Sequence, residues 1–310
     1  MTNWTNIEDR NKVYLDIRRA EQATRQLEAG IVNAVYISGA AGVGKSRVVN
    51  AAVNRFRRKG RKPLSIGNAE KWQDVRSAFA QSGGYRPVVI DDEESILFSS
   101  VARLNLLKTA TGNGDNMHGG ICVRAPVIVS TNADLSPKGF STRKQAHVPA
   151  LWGAAGRGVL IDIERDRREL WEYTCYLALR HNLIRVVPGT RGIPTNVPID
   201  VAFATLEWFT ANSHRISQLT PRTLQNIARN IVHGAEPLLD RNLQSLLAEK
   251  VIGARMPAQD WRAAWEQANG KPLVTKQKIV RQSARIDAAT EQQTITAIIA
   301  SAADNAVAHG

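Results

Sequence analysis

The sequence predicts an α/β fold, with a parallel sheet in its first half and a region of helices behind it. Short apolar segments alternate with helix-like segments between residues 31 and 164, which is typical of a parallel sheet covered on both faces. The first apolar segment runs directly into SGAAGVGKS, a glycine-rich loop that precedes a helix-like segment. Beyond residue 164 the helix-like pattern dominates.

These patterns divide the chain into four predicted parts. Residues 1–30 form an N-terminal helical segment, and residues 31–164 form the sheet-containing core. Residues 165–270 form a helical lid or C-terminal domain. Residues 271–310 form a tail that is first basic and then rich in Ala and Ile, and that could dock a protein partner.

The strands are predicted from short apolar runs that end at turn or polar residues. They are expected at 32–37, 64–67, 87–90, 126–129 and 159–161.

The helices are predicted from helix-forming composition and from start and stop signals, such as the Gly30 that ends the first of them. They are expected at 7–29, 45–58, 69–82, 95–109, 166–182, 198–213, 220–233, 237–252 and 258–268. Four tryptophans in the later helices are interpreted as core residues: Trp171, Trp208, Trp261 and Trp265.

The net charge of +13 favours a polyanionic partner, nucleic acid before an anionic membrane surface. Two distant cysteines indicate a reducing, cytoplasmic location without disulfide bonds. The N-terminus lacks a secretory signal, and no apolar run is long enough to span a membrane.

SGAAGVGKS matches the phosphate-loop pattern with Gly39, Gly44, Lys45 and Ser46 in register, and Gly42 lies inside it. Glycines let successive backbone N–H groups point at phosphate oxygens, and the following helix N-terminus favours the same anion. Lys45 is expected at the β- and γ-phosphates and the Ser46 hydroxyl at Mg²⁺. The loop therefore predicts binding of ATP with Mg²⁺.

An acidic cluster follows the third predicted strand in PVVIDDEES. A carboxylate at such a strand end holds Mg²⁺, and a second one polarises the attacking water. We assign Asp91 to the metal and Asp92 or Glu93 to the water. An acidic cluster can also simply stabilise the N-terminus of the next helix, and Glu94 fits that interpretation.

Asn132 follows the next strand in PVIVSTN. An amide both donates and accepts hydrogen bonds, so it can orient a lytic water near the γ-phosphate. The alternative is an Asn that only forms the turn at the strand end.

In this order the three motifs resemble the Walker A, Walker B and sensor-1 elements of AAA+ ATPases, and within them the superfamily-three helicases of viruses, phages and plasmids. The resemblance covers about residues 31–163. It implies a hairpin at 111–125, where His118 and Arg124 are the basic candidates for contact with nucleic acid. The LWGAAGRGVLIDI segment is similar to the family's finger segment and implies that Arg157 acts on the ATP of a neighbouring subunit. Arg143 competes for that role, and Arg157 could instead form a salt bridge with Asp162 or Glu164.

Arg222 lies near a predicted helix start, with Thr220 as N-cap and Pro221 at the first helical position. AAA+ lids resemble this and carry a nucleotide-sensing arginine there; ordinary capping with a solvated Arg222 is the alternative. The 165–168 stretch, RDRR, is interpreted as a solvated face.

Six basic residues, Arg57 and Arg58 among them, crowd the end of the helix after the loop. Their positive charges either stabilise the C-terminal end of the helix dipole or contact the phosphate backbone of a nucleic acid.

The leading hypothesis is an oligomeric ATPase that acts on nucleic acid, DNA rather than RNA, as a replication helicase in a hexameric ring or filament. The alternative is an ATP-switched DNA-binding regulator or loader that recruits a partner without unwinding. A phosphate-loop kinase for a small metabolite fits less well, because it needs neither Asn132 nor an arginine in trans.

Overall fold

The computed structural model describes residues 1–66, 72–91, 100–112, 114–135, 153–154, 156–188, 194–233, 256 and 259–273 of the chain. Its strands are β1 (Ala34–Ser38), β2 (Leu64–Ile66), β3 (Val88–Asp91), β4 (Met117–His118), β5 (Ile121–Cys122), β6 (Val127–Thr131), β7 (Val159–Asp162), β8 (Val186–Pro188) and β9 (Pro194–Asn196). Its helices are α1 (Ile7–Arg10), α2 (Lys12–Glu28), α3 (Lys45–Arg58), α4 (Trp72–Ser82), α5 (Val101–Ala110), α6 (Arg167–Arg180), α7 (Ile199–Ala211), α8 (Pro221–Val232) and α9 (Trp261–Asn269).

Five strands form one parallel sheet in the order β2-β3-β6-β1-β7. The register keeps the strand ends level, since Ser38 of β1 is opposite Thr131 of β6 and Asp162 of β7, and Asp91 of β3 is opposite Ser130. The predicted α/β class, with a parallel-sheet phosphate-loop core followed by helices, is confirmed.

Alternate side chains of each strand enter two separate apolar layers, as the two-residue period of a strand requires. Val35 and Ile37 of β1 pack on one face with α2, α3 and α6, whereas Tyr36 points to the other face. That second face is covered by α4 and α5, through residues such as Phe79 and Leu107. Burial on both faces explains why these strands read as continuous apolar runs.

The N-terminal segment, which the sequence predicts to be helical, belongs to the main core. Trp4 is 1% exposed, and its ring centroid lies 5.9 Å from that of Trp171 and 6.0 Å from that of Trp261. The indole nitrogen of Trp171 donates to Thr210 Oγ1 over 3.1 Å. The N-terminus is thus joined to the helical region through aromatic packing, and the core interpretation of Trp171 and Trp261 is confirmed.

Two short β-hairpins lie outside the five-stranded sheet. β4 and β5 pair antiparallel around Gly119 and Gly120, inside the segment where a hairpin was expected. β8 and β9 also pair antiparallel, in a stretch for which the sequence predicts neither a strand nor a helix. Proline at both strand ends hid this second hairpin from the sequence pattern.

Several predictions lie outside the described residues: the 237–252 helix, most of the 271–310 tail, and the roles of Asp92, Glu93 and Arg143. Within the described part of the chain, no helix is long and apolar enough to cross a membrane. Cys122 and Cys175 are both free thiols.

The basic end of α3 is partly explained by a buried carboxylate. Glu28 is 9% exposed and receives Arg55 Nε at 2.8 Å and Lys59 Nζ at 2.7 Å. Burial raises the pKa of Glu28, but hydrogen bonds from Lys59 and Arg55 outweigh it and hold the pKa below its ordinary value. Arg55 and Lys59 therefore have a structural partner, whereas Arg57 and Arg58 are exposed.

We expect Glu28→Gln to lower the free energy of unfolding by about 1–2 kcal/mol at neutral pH, because charge-assisted hydrogen bonds to two cations are weakened. The lowered pKa means that this stabilisation is present above the unfolded-state pKa and is lost as the pH falls through the folded-state pKa. Urea unfolding should show the difference between the two proteins shrinking below about pH 4.5. Glu207→Gln, at an exposed position of α7, is the control, and equal stability of Glu28→Gln and wild type at neutral pH would contradict the prediction.

Candidate functional site

The candidate site lies at the carboxyl edge of the sheet, where the loop after β1 leads into α3. Gly42 and Gly44 have φ values of +79° and +120°, which L side chains rarely adopt. Gly39 lies against Ile163, and a Cβ on Gly39 would be 3.0 Å from Ile163 Cβ. The loop backbone is thus curled and tightly packed, as a phosphate loop requires.

The Lys45 ammonium lies inside this loop and is surrounded by oxygen acceptors. Nζ donates to the carbonyl oxygens of Gly39 at 2.9 Å and Ala40 at 3.0 Å, and to Asn132 Oδ1 at 2.7 Å. Lys45 is only 3% exposed, so its charge needs these partners. Lys45 in the loop and Asn132 after β6, which were predicted as site residues from separate motifs, are therefore in direct contact.

Asp91 ends β3 beside this pair, because its strand partner Ser130 lies two residues before Asn132. Asp91 Oδ1 is buried and has no hydrogen-bond partner among the described residues. A carboxylate oxygen in this situation suits a hard divalent cation. Ser46, half-buried in the first turn of α3, is the second predicted ligand. No group of three His, Cys, Asp or Glu residues that could hold a metal occurs in the described ranges, so Mg²⁺ would draw further ligands from water and phosphate.

The start of α8 lies directly over the loop. A Cβ on Gly42 would be 2.7 Å from Arg222 Cβ and 2.9 Å from Thr220 Oγ1. Pro221 occupies the first turn of α8, as its fixed φ favours. Arg222 is exposed at this junction, and its sensing role stays a prediction.

Arg165 is a site residue that sequence reasoning missed. Its Nη2 donates to Ser38 Oγ at 2.8 Å and to the Ala133 carbonyl at 3.2 Å, and its Nη1 donates to the Asn132 carbonyl at 3.4 Å. It also pairs with Asp162 at 3.6 Å. One guanidinium thus ties together the ends of β1, β6 and β7 beneath Asn132.

The solvated-face interpretation of 165–168 is therefore wrong for two of its four residues. Arg167, like Arg165, donates to buried backbone, through Nη2 to the Ser213 and Ile216 carbonyls. Asp166 and Arg168 are exposed as expected. Nothing in the charged run itself distinguishes Arg165 from the exposed Asp166 and Arg168 beside it.

Arg157 lies at the opposite, amino-terminal edge of the sheet, before β7. Its Nη1 donates to the Lys108 carbonyl at 3.0 Å. The carboxylates suggested as its alternative partners are engaged elsewhere, since Asp162 pairs with Arg165 and Glu164 lies 3.8 Å from Lys12. Arg157 does not join Lys45 and Asn132 within one subunit.

The residues selected for nucleic acid are also away from the loop. His118 lies in the β4–β5 hairpin and is half-buried, while Arg124 follows the hairpin and is exposed. Arg57 and Arg58 lie in the last turn of α3. These four positions do not form one cluster with the phosphate loop.

We expect Arg165→Ala to lower the free energy of unfolding by about 1–3 kcal/mol, because three oxygen acceptors lose a charged donor. Amide hydrogen exchange of residues 131–135 should accelerate, since the loop after β6 loses its anchor. Arg168→Ala is the matched control, because Arg168 is 72% exposed and its 3.5 Å pair with Glu172 is worth little. Unchanged exchange in Arg165→Ala would contradict the assignment.

No protein-family model and no curated protein sequence matches the chain significantly. Its fold is similar to solved structures of AAA+ P-loop ATPases. A mutant of RuvB from Thermotoga maritima is 11% identical with a TM-score of 0.41, over 76% of this chain and 68% of RuvB. NtrX from Brucella abortus, solved in complex with ATP, is 15% identical with a TM-score of 0.44, over 74% of this chain and 54% of NtrX. C. elegans PCH-2 is 14% identical with a TM-score of 0.34, over 74% of this chain and 72% of PCH-2. The chain spans about half the length of NtrX, and the similarity is one of fold.

Proposed function

We propose that the protein is an ATP-hydrolysing AAA+ protein that works as an oligomer on nucleic acid, as a replication helicase of the viral or plasmid type. The observation that carries the ATPase part is the 2.7 Å hydrogen bond between Lys45 Nζ and Asn132 Oδ1. A loop lysine that binds phosphates and an amide that orients water must converge on one γ-phosphate, and these two side chains already meet.

Each residue of the site has a distinct task in this proposal. The loop backbone around Gly39, Gly42 and Gly44 binds phosphate oxygens, and Lys45 neutralises their charge. Ser46 and the Asp91 carboxylate, whose Oδ1 has no hydrogen-bond partner among the described residues, would hold Mg²⁺. The ion would stabilise negative charge on the transferring phosphoryl group.

Asn132 orients the attacking water, and Asp92 or Glu93 polarises it. Arg165 acts through Asn132 by fixing its backbone carbonyl. Arg222, over Gly42, senses the bound nucleotide from the lid.

The oligomer follows from the position of Arg157. β7 has four residues and is therefore about 13 Å long, and Arg157 precedes it while the loop is level with its far end. An arginine on that edge can reach a γ-phosphate only in a neighbouring subunit. ATP would then bind between subunits of a hexameric ring or filament, with a guanidinium from one subunit stabilising charge on the nucleotide of the next.

Nucleic acid is the proposed substrate because of the net charge of +13 and the exposed cations at the amino-terminal edge of the sheet. The comparison with RuvB adds only a likeness of fold. DNA is favoured over RNA, in line with the helicase resemblance.

The β4–β5 hairpin supports a second function, an ATP-switched DNA-binding regulator or loader. Met117 is 52% exposed and Ile121 is 37% exposed, and neither strand nor the Gly119–Gly120 turn carries a Lys or Arg. An apolar hairpin suits contact with a protein partner better than a grip on a phosphate backbone. ATP-dependent filaments without strand separation would favour this function, whereas robust duplex unwinding would eliminate it.

Lys45→Ala should abolish ATP hydrolysis, because the loop loses the only cation it directs at the bound phosphates among the described residues. The measurement is phosphate release with and without single-stranded DNA, followed by duplex unwinding. Arg262→Ala, at an exposed position of α9, controls for loss of one positive charge. Hydrolysis by Lys45→Ala at the wild-type rate would exclude the site.

Arg157→Ala should leave nucleotide binding intact and reduce hydrolysis by about 10³-fold or more, because the charge that it supplies acts mainly in the transition state. Mixing Arg157→Ala with Lys45→Ala under conditions of subunit exchange should restore part of the activity, since some interfaces then hold one intact loop and one intact finger. If the mixture stays inactive although subunits exchange, the finger role moves to Arg143 or disappears.

A further inference from the structure

A basic cleft opens at the amino-terminal edge of the sheet, on the side opposite the phosphate loop. It is a cavity of about 230 Å³, and we call it the basal cleft. Its polar lining comes from Asn33, Arg61, Tyr85 and Arg124, which lie shortly before β1, β2, β3 and β6. The amino-terminal ends of parallel strands meet at one edge, so the fold itself collects these distant residues.

Tyr85 and Arg61 form a stacked pair in this cleft. The Arg61 guanidinium carbon lies 4.7 Å from the centroid of the Tyr85 ring, and Arg61 Nη1 is anchored by the Glu28 carbonyl at 3.4 Å. Tyr85 nevertheless remains 52% exposed. A ring held by a cation and open to solvent can accept a further flat group by stacking.

Arg124 completes the cleft from the β6 side. Its side chain crosses Gly84, where a Cβ would be 3.6 Å from Arg124 Cδ, and the Gly84 N–H donates to the Arg124 carbonyl at 3.0 Å. Gly84 has a φ of +74°, so both the turn and the close approach favour glycine. The conformation of this turn therefore brings the Arg124 side chain into the cleft that Tyr85 also lines.

No carboxylate neutralises these two arginines in the described part of the chain. The ion pairs there involve neither Arg61 nor Arg124, and no Asp or Glu lines the cleft. Glu28, whose backbone carbonyl accepts from Arg61, has a carboxylate that already binds Arg55 and Lys59. The cleft is left with a net positive charge beside an aromatic ring.

We propose that the basal cleft binds single-stranded nucleic acid, with a base stacked on Tyr85 and the adjoining phosphates at Arg61 and Arg124. A volume of about 230 Å³ is below the roughly 300–1,000 Å³ of pockets for whole small molecules, so it suits one unit of a longer strand. Stacking on Tyr85 requires an unpaired base, which selects a single strand over a duplex. The exposed Arg57, Arg58 and Lys62 extend the positive surface along which such a strand would run.

The proposal deepens the proposed function and rests on its nucleic-acid part. It is compatible with the trans role of Arg157, because Arg157 precedes β7 at one margin of the sheet, whereas the cleft lies under β2, β3, β6 and β1.

The test is fluorescence anisotropy of a labelled thymidine oligonucleotide, and of its uridine RNA counterpart, titrated with the full chain over a series of salt concentrations. Tyr85→Ala should weaken binding by about tenfold, because one stacked base is lost, whereas Tyr85→Phe should bind like wild type. Arg124→Gln should reduce the slope of log affinity against log salt by about 0.7, the value for one phosphate contact of a single strand. Arg262→Gln, a matched charge change on α9, should leave affinity and slope unchanged. The two oligonucleotides decide whether the cleft takes deoxyribose or ribose strands.

Two outcomes overturn the proposal: wild-type affinity in both Tyr85→Ala and Arg124→Gln, or an equal loss in Arg262→Gln, which would indicate binding by overall charge alone. ATP hydrolysis by the wild-type chain, measured without oligonucleotide, separates these failures from failure of the ATPase. If the wild-type chain hydrolyses ATP and the cleft variants bind the oligonucleotides as tightly as wild type, only the proposal of a strand site in the cleft is excluded. If the wild-type chain binds neither oligonucleotide at low salt, both the proposed strand site and the nucleic-acid part of the proposed function are excluded.

Discussion

All strands of the central sheet run in the same direction, and the rest of the molecule depends on this constraint. Parallel strands bring every carboxyl end to one edge and every amino end to the other. Asp91 and Asn132 reach the phosphate loop only because β3 and β6 end level with β1. Arg157 and Arg124 each precede a strand, so the same geometry places them at the amino-terminal edge. The chain therefore has two polar edges with different chemistry, joined by a sheet about 16 Å across at the five-residue β1.

At the carboxyl edge, the cost of burying the Lys45 ammonium organises the neighbouring groups. A nearly buried cation is tolerated only where oxygen atoms replace its water, and here two loop carbonyls and an amide oxygen do so. The loop must keep its curled form to supply those carbonyls, and Asn132 must face the loop. Arg165 fixes the backbone carbonyls of Asn132 and Ala133, while the ends of β1 and β7 hold Arg165 in turn. The polar side chains of this edge thus form one connected network, in which loss of a donor leaves buried acceptors unpaired.

The parts that the sequence predicted well are those with local physical causes. The apolar strands, the α3 helix and the Gly-rich loop each follow from short-range patterns, and α3 begins and ends at the predicted residues. Asn132 could be selected as well, because it closely follows an apolar strand segment. Arg165 could not, since a charged run looks solvated unless the folded positions of Ser38 and Ala133 are known. The basal cleft was equally hidden, because Arg61, Tyr85 and Arg124 are far apart in sequence and meet only through strand order. The burial of Trp4 depends likewise on helices more than 160 residues away.

The basal cleft and Arg157, both at the amino-terminal edge, meet at one specific point, Gly112. Gly112 lines the basal cleft, and a Cβ there would lie 2.5 Å from Arg157 Nη1, which is held by the Lys108 carbonyl of α5. A strand that orders the cleft would also restrict this end of α5 and so the direction of Arg157. In the proposed oligomer that arginine would face the neighbour's ATP, so strand binding in one subunit would alter hydrolysis in the next. Where strand binding also changes the affinity of the neighbour for ATP, ATP bound there changes the affinity of the cleft for the strand by the same factor, because linkage is reciprocal for binding. The short path from cleft to finger therefore gives both candidate functions, unwinding and recruitment, a common means of coupling nucleotide to nucleic acid.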